Sequence, residues 1–151
     1  MKHLTTTLCM VLLTLFAATS YSQKKSSNKP FLFTNFPTSI TCTEAQLNSL
    51  FMAAKGQSVN VILANNFTLS GPVTNNQVKY NNLQTIIIKL PAFDNTLFSL
   101  SKQTDQNNNK TFVGRILNPL YADGFELHRN TDGNYSLIKI DLEKIVVTCN
   151  Q

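Results

Sequence analysis

Beyond Gly56 the apolar residues recur at every second position, in short runs separated by turn-forming residues. Val59, Val61 and Leu63 alternate with polar neighbours, and Asn65-Asn66 leads into Phe67-Thr68-Leu69. Gly71-Pro72 reads as a further turn before a weaker run, Val73 to Tyr80. Leu83 to Leu90 carries Ile86-Ile87-Ile88, a continuous β-branched run that predicts a central strand covered on both faces. Runs at Thr96 to Ser101, Thr111 to Leu117, Phe125 to Arg129, Asn134 to Ile140 and Lys144 to Thr148 follow. Turn signals come about every 8–12 residues, the spacing of an antiparallel sandwich or barrel of roughly eight short strands. Strands and helices do not alternate regularly, which argues against a parallel doubly wound sheet. The absence of Trp removes the main marker of an immunoglobulin-type sandwich.

One segment has helical period. Leu47, Leu50, Phe51 and Ala54 fall on one face of a helix expected over Thr43 to Lys55. Thr43 can cap it with Gln46 as the reciprocal partner, and Gly56 can stop it. Thr41 with Glu44 offers an alternative start two residues earlier. The fold class expected is mainly β (α+β), with one N-terminal helix packed on the sheet or plugging one end.

Residues Met1–Ser22 have the form of a secretory signal peptide. Lys2 precedes an apolar run, Leu8 to Ala18, and Ser20 and Ser22 stand at −3 and −1 of a cut before Gln23. That run is shorter than the roughly 20 residues needed to span a bilayer. The expected organisation is a signal peptide over 1–22, a mobile linker and aromatic N-terminal arm over 23–37, and a single β-rich domain over 38–151. The arm contains Phe31, Phe33 and Phe36, with a short edge strand at Phe31–Phe33 bounded by Pro30 and Pro37. Cleavage leaves Cys42 and Cys149, which in a secreted or periplasmic chain are read as one disulfide.

Charged residues are 14% of the chain and the net charge is +5. Apart from Lys24, Lys25 and Lys29 the lysines are scattered, so the basic stripe of a nucleic-acid binder is missing. His128 is the only mature histidine, and Glu126, two residues earlier on the same strand, shares its sheet face. They are the one local acid–base pair, but no G-x-S-x-G accompanies them. A single histidine provides no zinc set. Asp105 to Asn109 begins like a calcium loop, yet Lys110 and Ile116 occupy the glycine and bidentate-glutamate positions. Asp123, Glu126 and Asp132 would have to gather in space to hold an ion, so neither a metal nor a cofactor is expected. Asn66, Asn109 and Asn134 begin Asn-x-Ser/Thr matches, which arise by chance in an Asn-rich chain.

The function these features favour is a small exported, non-enzymatic binding module. Its contacts would come from polar loops at Asn65-Asn66, Lys102 to Lys110 and Asn130 to Asn134, with Asn65, Asn66, Asn107, Asn108, Asn130 and Asp132 as candidates. The target class is a protein, including a protease held by an inhibitory loop, or a glycan. Two alternatives remain: a small secreted hydrolase or lyase using Glu126 and His128, and an assembly subunit that adds its N-terminal arm to a neighbour.

Overall fold

The computed structural model describes residues 29–148. The expected signal peptide, most of the linker and Cys149 lie outside the described residues. Eight strands form one antiparallel sheet: β1 (Ser39–Cys42), β2 (Ser58–Ile62), β3 (Thr68–Tyr80), β4 (Leu83–Leu90), β5 (Thr96–Thr104), β6 (Lys110–Leu117), β7 (Asp123–Arg129) and β8 (Tyr135–Asp141). The order is β1-β8-β7-β6-β5-β4-β3-β2, and the sheet curls strongly into a half-barrel. From β2 to β8 every strand pairs with the next, so no crossover is needed. The N-terminal β1 closes the series against β8, with Ser39 opposite Ile138 and Cys42 opposite Tyr135.

Alternation along the strands points one set of side chains inward. Ile86, Ile88 and Leu90 on β4, Phe98 and Leu100 on β5, Phe112 and Ile116 on β6, Phe125 and Leu127 on β7, and Tyr135 and Leu137 on β8 are buried. Ile87 points to the convex face and is half-buried, so β4 is covered on one face only, unlike the expectation from its isoleucine run.

Helix α1 (Glu44–Leu50) has the capping box expected from the sequence: Gln46 N–H donates to Thr43 Oγ1, and Thr43 N–H donates to Gln46 Oε1. It stops well before Lys55. Asn76 of β3 donates to the Phe51 and Ala53 carbonyls, which diverts groups that would otherwise accept from a further helical turn. Gln46 Nε2 donates to the Ile62 carbonyl of β2, so the helix that leaves edge strand β1 is tied to the other edge. Leu47 and Leu50 point into the core between them.

The structure departs from the sequence reading at three further places, each for a physical reason. Gly71-Pro72 does not end a strand but bends one. Residues 68–72 of β3 pair with β2, and from Val73 onward the strand pairs with β4. A Cβ on Gly71 would lie 1.9 Å from the Lys89 carbonyl oxygen, so only glycine fits this corner, while Pro72 needs no ladder N–H there. Residues Phe31–Phe33 bend into a turn at Thr34-Asn35 rather than forming a strand, because the Leu32 and Phe33 N–H groups donate to the Asp123 carboxylate (2.7 and 2.9 Å). The segment Lys144–Thr148 lies in a second helix, α2 (Leu142–Thr148). Asp141 caps it by accepting from the Glu143 and Lys144 N–H groups, and this outweighs the β-branched composition.

Candidate binding rim and cleft

An antiparallel meander sends alternate connections to opposite ends. The connections after β3, β5 and β7 therefore share one rim: residues 81–82, Asp105–Asn109 and Asn130–Asn134. The connections after β2, β4 and β6 share the other end. Asn107, Asn108, Asn130 and Asp132 are thus brought to one rim. Asn65 and Asn66 lie at the opposite end, in a 3-10 turn over Ala64–Asn66. That far end is filled. Phe33 is fully buried and meets Phe125 edge-on at 5.0 Å and Phe93 at 5.5 Å, while Phe67 stacks on Phe93 at 5.1 Å. Lys139 Nζ donates to the Phe33 and Phe36 carbonyls (both 2.6 Å), complementing Asp123 on the arm's N–H groups. The aromatic arm is therefore docked into its own half-barrel.

The rim loops are ordered by their own side chains. Asp105 accepts from the Asn107 and Asn109 N–H groups (2.8 Å each) and from Asn109 Nδ2 (2.9 Å). These bonds, the Asn109 side chain foremost, hold its carboxyl below the usual carboxylate range. Asp132 accepts from Asn134 N–H and Nδ2 in the same manner, with the same downward shift. Left-handed backbone at Asn108 (φ 63°) and Gly133 (φ 86°) completes the two tips. The Asp105 loop spends its carboxylate on its own backbone rather than presenting calcium-type ligands.

Between the first two tips lies a cleft of about 180 Å³ lined by Val78, Tyr80, Asn81, Asn82, Leu83, Gln84, Lys102 and Thr104. Val78, Gln84 and Lys102 are cross-strand neighbours in line with inward-facing Phe112, so the cleft continues the concave face. The Thr104 N–H donates to the Asn82 carbonyl (2.9 Å), which fixes the β3–β4 tip to β5. Gln84 Nε2 donates to Asn76 Oδ1 (2.8 Å). Lys102 Nζ sits 4.7 Å from the Phe51 ring centre and donates to Asn48 Oδ1 (3.4 Å). Burial, then the nearby Lys110 charge, pull the Lys102 ammonium below its ordinary pKa. Lys102 and Thr104 fall in the polar loop expected over 102–110, but they end β5 instead, and residues 78–84 were not among the loops singled out in the sequence. The signal was present, since Asn81-Asn82 separates two strand-period runs by two residues, a hairpin spacing.

Glu126 and His128 share a face, as the period-2 argument requires, but it is the convex one. His128 Nε2 lies 3.6 Å from Glu126 Oε2, and Arg115 Nη2 lies 2.6 Å from Glu126 Oε1. Arg115 is directly opposite Glu126 across β6–β7, so the carboxylate is held by the guanidinium. The three side chains make a solvent-facing ion-pair ladder; Arg115 was the member the sequence did not reveal. Asp123 points into the core, Glu126 outward, and Asp132 sits on the rim, so these acids do not gather. Among the described residues, no group of three or more His, Cys, Asp or Glu side chains is placed to hold a metal ion, and no helix is long and apolar enough to cross a membrane.

Cys42 faces the core with 1% exposure, and it has no disulfide partner among the described residues. Burial pushes its pKa up to about 12. The expected partner, Cys149, lies outside the described residues, and the bridge with it.

No protein family, curated protein or solved structure matches the chain. The functional reading therefore rests on the site itself.

Proposed function

We propose that this chain is a small exported binding module without catalytic activity, which meets its target, a protein or a glycan, with the rim formed by the hairpin tips after β3, β5 and β7. The observation that carries this reading is the contrast between the two ends of the half-barrel. One end is packed solid by the arm and its aromatic contacts, while the other presents self-braced polar tips and an open cleft. Rigid strands that display polar loops are the usual build of a recognition surface. Export follows from the signal-peptide form of Met1–Ser22. The alternatives gain less support. Glu126 and His128 stand on an outward-curving face where nothing holds a substrate against them, whereas acid–base catalysis needs an assembled site. The arm's inner backbone groups are already bonded to Asp123 and Lys139, so few remain to pair with a neighbour.

The test is a binding screen of the mature chain against defined polysaccharides and purified secreted proteases, repeated with two double variants. Asn107→Ala with Asn130→Ala is expected to weaken binding, and Glu126→Gln with His128→Gln to leave it unchanged. Turnover of any ligand that disappears in the second variant would replace this reading with the hydrolase or lyase.

A further inference from the structure

The concave half of the cleft has a fixed polarity. Val78 lies opposite Gln84, Gln84 opposite Lys102, and Lys102 opposite the buried Phe112. These four share the concave face, whereas Tyr80, which pairs with Leu83 beyond a bulge, faces the convex side. Asn76 sets the orientation of Gln84. Its Nδ2 donates to the Phe51 and Ala53 carbonyls (3.1 and 2.8 Å), groups that can only accept. Asn76 therefore turns its oxygen to Gln84, whose Nε2 donates to it (2.8 Å). Gln84 Oε1 is left as an acceptor with no partner among the described residues.

The same face carries two cations. Lys102 lines the cleft, and Lys110, opposite Thr104 and two residues before Phe112, falls on the same side. Neither forms an ion pair among the described residues. The nearest acid in sequence, Asp105, has its carboxylate turned into its own loop by Asn107 and Asn109. Lys102 directs one ammonium hydrogen to Asn48 Oδ1, which leaves others for an incoming acceptor. Its ammonium is held below the ordinary pKa by burial and then by Lys110, a repulsion that a bound anion would relieve. On the far side of Gln84, Val78 is 64% exposed and forms an apolar wall. Apolar wall, acceptor and cation thus follow one another on adjacent strands, at steps of roughly 5 Å.

We propose that the concave half of this cleft captures the C-terminus of an extended protein segment ending in a small apolar residue: the terminal carboxylate lies between Lys102 and Lys110, the last amide N–H donates to Gln84 Oε1, and the last side chain rests on Val78. A free C-terminus carries an anion, a backbone donor and a side chain on one carbon atom, the compact spacing that three adjacent strands require. This deepens the binding-module reading and rests on it, with a protein as the target of this cleft.

The experiment is an amide-shift NMR titration of the mature chain at low salt. The probes are acetyl-Ala-Ala-Val as the free acid, its C-terminal amide, a form of the acid methylated on the last peptide nitrogen, and N-acetylvaline. The free acid is expected to shift the amides of Val78, Gln84 and residues 102–104. The C-terminal amide is expected to bind at least about tenfold more weakly, the scale of one charge-assisted hydrogen bond. The methylated form is expected to bind about threefold or more weakly than the acid, the scale of one neutral bond. Lys102→Met is expected to remove the preference for the acid over the amide, and Lys110→Gln to reduce it if Lys102→Met disturbs the Phe51 contact. Gln84→Leu is expected to remove the difference between the acid and its methylated form. Equal binding of acid and amide overturns the carboxylate assignment. Absence of shifts with every probe, or shifts confined to other residues, overturns the subsite. N-acetylvaline binding as tightly as the tripeptide overturns the assignment to a protein C-terminus. If Asn107→Ala with Asn130→Ala still weakens binding of a polysaccharide or a protease while no peptide shifts the cleft, the binding-module reading stands and this subsite falls.

Discussion

Asp123→Ala tests whether the N-terminal arm is part of the folded unit. Asp123 is 2% exposed and accepts from two backbone N–H groups, those of Leu32 and Phe33. If the arm stays docked after the change, both donors are left without acceptors, at about 1–3 kcal/mol each. If it undocks, the donors reach water but the Phe33 ring leaves the core. Burial of a Phe side chain stabilises by about 1.5–3 kcal/mol. Each of its three edge-on ring contacts, to Phe36, Phe93 and Phe125, adds about 0.5–1.5 kcal/mol. The two routes overlap at about 3–6 kcal/mol, and the molecule takes the cheaper. Urea unfolding followed by far-UV circular dichroism reads this directly, because the chain has no Trp to report tertiary change. With a slope of about 1–3 kcal/mol per molar urea, the midpoint is expected to fall by at least about 1 M. Limited chymotrypsin digestion at Phe33, fully buried while the arm is docked, separates the routes, since only undocking speeds cleavage there. A loss under about 1 kcal/mol, with Phe33 cleaved no faster than in the parent, refutes the reasoning. Asp123→Asn keeps one acceptor oxygen and is expected to fall between the parent and Asp123→Ala.

Two other outcomes follow from the same structure. Asp105 and Asp132 have carboxyls held below their ordinary value by Asn109 and Asn134, so their bonds stabilise the folded tips at any pH above the unfolded pKa and are lost as pH falls through the lower folded one. The amides of Asn107, Asn109 and Asn134 are expected to keep their shifts at pH 5 and to move only below the ordinary carboxylate value of 3.8; midpoints at or above that value contradict the bracing. Cys42, buried and with its pKa pushed up to about 12, is expected to ignore thiol reagents in the reduced folded protein and to react on unfolding. Reaction at the folded-state rate of an exposed thiol would place Cys42 outside the core, and a thiol count in denaturant without reductant tests the bridge to Cys149.

What the sequence showed and what it concealed divide along one physical line. Features set by local chemistry were legible: the Thr43–Gln46 capping box, the alternation of Val59 and Val61 on β2, and the shared face of Glu126 and His128 each depend on residues within a few positions. Features set by what another segment supplies were not. Gly71-Pro72 has turn chemistry, and its role as a strand corner is fixed by the Lys89 carbonyl, which leaves no room for a Cβ. Phe31–Phe33 has strand alternation, yet Asp123, some 90 residues later, takes its backbone donors. The candidate loops divided by the same rule. Asn65-Asn66 and Asn107-Asn108 look alike as sequence, but strand parity sends them to opposite ends, and a sequence count cannot establish parity while β3 is read as two strands. Read as one strand with a corner, β3 puts Asn81-Asn82 on the rim with the β5 and β7 tips. A reader of the sequence who had questioned that one turn would have found the cleft.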